Sequence, residues 1–353
     1  MTYSQPMYIP TSVQGDSKLM MNFALLADTP SADDILWNSV TTVLLDTGSC
    51  GLVVTASTFF SGDYTFTPAS NGNPATLSGT TLAGITIGDY TTVEYTSSGD
   101  KIYGFHITIP KLALGVLKQV GWESWITWSA MATNVTAVAA VGRIDKKTGN
   151  LLPPGSAKVY MCGIGYGRPL LGSNIFLDTQ APDGTPLYAS FLLSEKGVWL
   201  GYQQNASNGG APVSQAIPGS SFSFQTLSST PVTNLSACPA IKGTLSVGSA
   251  AGDTTDVAIL VDTGLDYMIA KAPAGIGSKL TASGTTVTLS INGAGVSYTF
   301  TTPPDGTAGA PTRIQYDGAG GFVNTGFHFL DLYQYYFDWP NVTVGVATYP
   351  SAG

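Results

Sequence analysis

Thr42-Val43-Leu44-Leu45-Asp46-Thr47-Gly48-Ser49, in the first half of the chain, is matched by Ala258-Ile259-Leu260-Val261-Asp262-Thr263-Gly264-Leu265 in the second. Each is a run of strand-forming apolar residues that ends in Asp-Thr-Gly. A second apolar run follows each, Leu52-Val53-Val54 in one copy and Tyr267-Met268-Ile269-Ala270 in the other. An apolar strand carries its Asp toward the interior, where an unpartnered carboxylate is costly. Glycine permits a tight turn and close backbone approach, and its amide can donate to the carboxylate. The Thr hydroxyl can bond the backbone of the opposing loop. Two such loops face to face bring two carboxyls into contact, and like charges that close share one proton. One member then acts as base on a water and the other as acid on a carbonyl oxygen, with no covalent intermediate. A lone Asp-Thr-Gly is an ordinary turn. Two in the same strand context mark Asp46 and Asp262 as the candidate catalytic pair, with Thr47, Gly48, Ser49, Thr263 and Gly264 supporting the loops.

The remaining sequence places this repeat in an all-β chain. Short β-type runs at 40–45, 92–95, 102–109, 197–202, 286–291 and 342–347 are separated by turn formers, among 42 glycines and 21 prolines. Many short strands with frequent turn signals predict a sandwich or barrel architecture. The small, polar stretch 203–221 is read as the connection between two lobes, 1–205 and 206–353. Trp122, Trp125 and Trp128 recur at a spacing of three within 116–131. That spacing is read as one buried face of a short helix or a packed loop, with an aromatic wall beside a cleft as the alternative.

Composition narrows the function. Only 10% of the 353 residues are charged and the net charge is −8, against about 25% charged in ordinary domains. A chain so poor in cations lacks the basic footprint that nucleic acid or an anionic membrane requires. Three cysteines (Cys50, Cys162, Cys238) and two histidines form no metal-ligand cluster, so no cofactor or metal is expected. Cys50 is read as a small packed hydrophobe, with a redox role on its loop as the alternative. The low charge suits secretion, and Asn-x-Ser/Thr sequons stand at Asn134, Asn205, Asn234 and Asn341. Residues 1–10 lack a basic or apolar leader, so the expectation is a secreted monomer in its mature or recombinant form.

At this point the chain resembles the pepsin-like aspartic peptidases, with its Leu-Val-Val nearest the bacterial and mycobacterial pepsin-like domains. Beyond the two motifs, the resemblance rests on Gly326-Phe327-His328-Phe329-Leu330, on Tyr333-Gln334-Tyr335-Tyr336-Phe337-Asp338 and on Val344-Gly345-Val346-Ala347. Gly163-Ile164-Gly165-Tyr166-Gly167 looks like the first-lobe counterpart of the segment around Gly326. The resemblance implies a bilobal fold whose cleft takes an extended polypeptide substrate. It also implies glycine segments at Gly165 and Gly326 passing behind the catalytic loops, and a flap over the cleft whose tyrosine touches substrate. Tyr95, in a hairpin-like stretch, is the match for that tyrosine, with Tyr90 and Tyr103 as competitors.

Four positions depart from the family pattern. Leu265 stands where a hydroxyl would bond the second aspartate, which implies a pH optimum raised into a mildly acidic range of roughly 4 to 6. Val53 replaces the Trp that supports the flap tyrosine. Asn324-Thr325 replaces an apolar pair before Gly326, and the usual disulfide spacings are absent. Two readings follow: an aspartic endopeptidase, or a pepsin-fold binding protein with a weakened or silent site.

Overall fold

Strict alternation of buried and exposed side chains along Val296–Thr301 marks a sheet with one solvated face, whereas every residue of Cys50–Thr55 is buried. The computed structural model describes residues 3–15, 18–27, 35–70, 72–95, 98–119, 125–165, 174–203, 222–226, 241–248, 253–292, 295–304, 306–307 and 309–349. Strands dominate them, and the fold is all-β and bilobal.

In the first lobe, Ala130–Ile144 pairs in parallel with Cys50–Thr55 and antiparallel with Asp100–Leu114. From Cys50–Thr55 the sheet continues through Tyr160–Ile164, Thr41–Asp46 and Lys18–Leu25 to Asp100–Leu114, so it closes on itself. Closure removes exposed strand edges, as in a barrel. Phe23, Leu45, Leu52, Phe105 and Ile109 are among the core side chains of this lobe. The second lobe carries a seven-stranded sheet that runs from Val296–Thr301 at one edge to Ile314–Tyr316 at the other.

The sequence repeat is also a repeat in space. In each lobe a third strand lies between the two arms that flank Asp-Thr-Gly. Tyr160–Ile164 runs parallel to Thr41–Asp46 and antiparallel to Cys50–Thr55. Phe322–Asn324 runs parallel to Thr254–Leu260 and antiparallel to Met268–Lys271. An inserted strand keeps the arms from pairing with each other, so the turn between them stays open and presents its Asp.

A six-stranded sheet joins the lobes. Its order is Met7–Pro10, Gly197–Leu200, Ser190–Ser194, Tyr333–Asp338, Thr343–Thr348 and Phe222–Thr226. Asp338, fully buried at its strand end, accepts from the Tyr188 hydroxyl (3.2 Å), the Tyr336 hydroxyl (3.1 Å) and both the backbone and side-chain amides of Asn341 (3.1 and 2.9 Å). Asn341 is exposed, as Asn134 is, but its side-chain amide is held by Asp338 and the Tyr188 hydroxyl. The lobe division at 205/206 lies outside the described residues, as do Trp122, Tyr166, Gly167, Cys238, Asn205 and Asn234.

The described part of the tryptophan stretch is not helical. Leu117–Gln119 and Trp125–Thr127 pair as antiparallel strands, and Trp128, just after the second, packs half-buried against a cluster that includes Ala24, Leu26, Ile35 and Met131, as the packed-loop reading expects. Trp128 is not among the described residues that line the cleft. Among the described residues no helix is long and apolar enough to cross a membrane.

Removing the Asp338 carboxylate leaves two tyrosine hydroxyls and an asparagine amide short of a buried acceptor. Asp338→Ala is expected to lower unfolding stability by about 3 kcal/mol or more, measured by denaturant titration. A loss below about 1 kcal/mol would mean that the cluster does not hold this sheet together.

Candidate active site

Leu45 and Val261 are buried, and the strands they end deliver Asp46 and Asp262 to the interface between lobes at 6% and 7% exposure. The two carboxyls are close enough to share a hydrogen bond. Close approach depends on glycine. A Cβ on Gly48 would strike the Asp262 carboxyl, and one on Gly264 would come within 2.6 Å of Asp46 Oδ1. Each loop's own glycine amide also donates to its aspartate, Gly48 to Asp46 Oδ1 (2.7 Å) and Gly264 to Asp262 Oδ1 (2.9 Å).

The loops are laced together by their threonines. Thr47 Oγ1 donates to the Val261 carbonyl (2.5 Å), and Thr263 Oγ1 donates to the Leu45 carbonyl (2.6 Å). In return Thr263 N donates to Thr47 Oγ1 (3.0 Å) and Thr47 N to Thr263 Oγ1 (3.1 Å). Both side chains are almost fully buried, so these bonds face little competition from water. Behind the loops lie Gly165 and Gly326. A side chain on either would collide with backbone carbonyls, those of Thr47 and Ser49 in the first lobe and those of Leu265 and Tyr267 in the second.

The remaining oxygen of each aspartate has a donor as well, but from different places. Ser49 Oγ donates to Asp46 Oδ2 (2.5 Å). Leu265, at the matching place in the second loop, has no hydroxyl, and Asn324 Nδ2 donates to Asp262 Oδ2 instead (2.6 Å). The expectation that Asp262 is one donor short is therefore corrected, and with it the reason to raise the pH optimum. Sequence reasoning missed Asn324 as a site residue. Its signal was present, a carboxamide in place of an apolar residue two positions before Gly326, but only the fold brings it to Asp262.

Burial and the negative charge of Asp262 hold the Asp46 carboxyl well above the usual carboxylate range, against the lowering effect of Ser49 and Gly48. The pair as a whole thus holds on to one proton. The pair opens on a cleft of about 690 Å³, lined also by Leu265, Met161, Lys18 and Tyr95. Tyr95 ends the strand Thr86–Tyr95, across from Asp100 in the hairpin expected from sequence; residues 96–97 at its tip lie outside the described residues. Its hydroxyl is buried with no hydrogen-bond partner, and burial and nearby Asp46 hold its proton on firmly. Val53 packs with Val93 and Ile102 beneath Tyr95 and offers it no polar atom. The competitors lie elsewhere: Tyr90 is exposed at 37%, and Tyr103 donates to the Leu152 carbonyl.

Cys50 and Cys162 are free and buried, and burial pushes the Cys50 thiol up to about 12. Buried, protonated thiols behave as packed apolar groups. Among the described residues no cluster of His, Cys, Asp or Glu could hold a metal ion.

No protein-family model and no curated protein matches the chain. Solved structures do. An aspartic proteinase from Irpex lacteus aligns over 98% of this chain and 99% of its own, at 17% identity and a TM-score of 0.52. Conglutin gamma, a basic 7S globulin from lupine seeds, aligns over 97% of this chain and 94% of its own, at 12% identity and a TM-score of 0.56. The fold is pepsin-like. Since a proteinase and a seed globulin both carry it, the fold alone does not decide the chemistry.

Thr47→Val keeps shape but deletes one donor and one acceptor between the lobes. The expected loss is about 2–4 kcal/mol of unfolding stability. Thr47→Val combined with Thr263→Val should cost less than the two singles added, because loss of either hydroxyl's two bonds already loosens the ring that the other completes. Additive losses in a double-mutant cycle would show that the two threonines act independently.

Proposed function

We propose that the chain is an aspartic endopeptidase, in which Asp46 and Asp262 share one proton and activate a water against an internal peptide bond. The observation that carries this reading is the pairing itself. Two carboxyls are held together out of water, each with its own two donors, and this arrangement costs stability unless it does chemistry. The site needs only what the chain supplies. Asp262, its oxygens held by Gly264 and Asn324, takes a proton from the water as it attacks, while Asp46 donates its own toward the carbonyl oxygen. The oxyanion formed is neutralised as it develops, giving a gem-diol; on its collapse Asp262 protonates the departing amine and one diol hydroxyl returns its proton to Asp46, so the pair ends as it began.

The cleft would hold an extended polypeptide through strand-like backbone bonds. Tyr95 closes one side of it. A buried hydroxyl without a partner is costly, and a substrate carbonyl in the cleft would relieve that cost. We further propose a monomer with lobes of 1–205 and 206–353, working outside the cell in acid.

Mapped digestion of a denatured protein tests the reading. Wild-type protein is expected to cleave in acid, and Asp46→Asn and Asp262→Asn are each expected to lose at least about a hundredfold in rate. The profile should be bell-shaped. Rate falls as rising pH strips the proton from Asp46, whose folded-state value is raised, and falls again where acid puts a second proton on the pair. Unimpaired hydrolysis by either variant rules the mechanism out. A wild type that binds a statine peptide yet cleaves nothing at any acid pH would favour a binding protein.

Tyr95→Phe should lower kcat/KM by roughly fivefold to tenfold while leaving the fold intact, because one neutral hydrogen bond to substrate is lost. Unchanged kinetics would remove Tyr95 from the substrate contacts.

A further inference from the structure

The two lobes answer the same need from different elements. In the first, Ser49 bonds Asp46, and the inserted strand carries Gly163 at the place facing it. A Cβ on Gly163 would lie 2.7 Å from Ser49 Oγ and 2.6 Å from Cys50 N, so the serine hydroxyl requires glycine there. In the second lobe Leu265 stands at the serine's place, and the inserted strand supplies Asn324. Strand pairing gives the first-lobe counterpart of Asn324 as Met161: Met161 lies opposite Leu44 and Asn324 opposite Leu260, each leucine two residues before its aspartate, and Met161 has no side-chain amide to donate.

Asn324 is 4% exposed and its amide cannot turn over. Gly326 N donates to Asn324 Oδ1 (3.0 Å), which leaves Nδ2 aimed at Asp262 Oδ2 (2.6 Å). The loop carbonyls are held separately, that of Ser49 by Gly165 N (2.7 Å) and that of Leu265 by Phe327 N (2.7 Å), so Gly326 N is free to hold the carboxamide.

From this we infer that Asn324 is a positioning residue for Asp262, substituting for the loop hydroxyl that Leu265 lacks and stabilising the ionised carboxylate that accepts the water's proton. The inference rests on the peptidase reading for its kinetic consequence, but the hydrogen bond can be read without catalysis. Leu265 gains a second role. It turns an apolar side chain into the cleft beside the pair, at a place where a serine would face the aspartate. Asn324 thus supplies the donor that Leu265, 59 residues earlier in the chain (324 − 265), lacks.

The test compares Asn324→Gly with Asn324→Gly/Leu265→Ser. Both leave Gly326 N without its side-chain acceptor, so they differ in the restored hydroxyl alone. In Asn324→Gly the acid limb of the kcat/KM profile should move to higher pH by about one unit or more, because the ionised form has lost a donor. The double variant should bring the limb back toward wild type. A limb that stays in place in Asn324→Gly, or a double variant no better than the single, overturns the inference. Asn324→Leu, which fills the same volume without a donor, should behave as Asn324→Gly does if that variant folds poorly. A second readout separates this inference from the peptidase reading. In an Asp46→Asn background, the pH midpoint of the Asp262 carboxyl carbon in 13C NMR should rise with Asn324→Gly and fall again with the added Leu265→Ser. An immobile midpoint refutes the positioning role, whereas a wild type without hydrolysis refutes only the activity.

Discussion

Two threonine hydroxyls hold the molecule to its purpose. Each donates to a carbonyl of the opposite lobe and accepts from the opposite threonine's amide, so that Thr47 and Thr263 form a closed ring of bonds across the interface. Because the ring joins backbone to backbone, it sets the distance between the loops independently of what occupies the cleft. The carboxyls at the neighbouring positions inherit that distance. Without the ring, mutual repulsion and hydration would drive them apart; with it, proton sharing is the less costly solution. The glycines at 48 and 264 follow from the same constraint, since any side chain there would occupy the space of the opposite carboxyl.

The duplicated Asp-Thr-Gly was legible because its information is local: an apolar strand, an acid, a hydroxyl and a glycine in consecutive positions. Tyr95 was placed at the cleft by resemblance, as the match for a flap tyrosine in a hairpin-like stretch, and it ends a strand there. What escaped was non-local. Nothing near Asn324 says that Leu265 lacks a hydroxyl, and only the insertion of Phe322–Asn324 between Thr254–Leu260 and Met268–Lys271 makes the two positions one environment. The joining sheet was hidden for a similar reason. Its strands come from residues 7–10, 190–200, 222–226 and 333–348, and no local pattern states that such distant segments pair. The tryptophan spacing left a helix and a packed loop both open, because a period of three carries little information over so few residues.

The departures from the family pattern divide into those that are compensated and those that are not. Leu265 is compensated by Asn324. Val53 is not: it fills its place with carbon and leaves the Tyr95 hydroxyl bare. Asp262 thus has a second side-chain donor from another strand, whereas Tyr95 has only carbon beside it at Val53.

The joining sheet also dictates when the site can exist. Ser190–Ser194 pairs with Tyr333–Asp338, and the threonine ring spans residues 214 to 218 positions apart. Contacts of such high contact order form slowly, since most of the chain must be ordered before they close. On a ribosome, which delivers the chain from its N-terminus, Asp46 emerges early and meets Asp262 only after the second motif has been made. The strands that fasten the lobes, Tyr333–Asp338 and Thr343–Thr348, emerge later still. A nascent first lobe therefore carries one aspartate of the pair without the other, and the paired carboxyls come into being only after the second motif has been made.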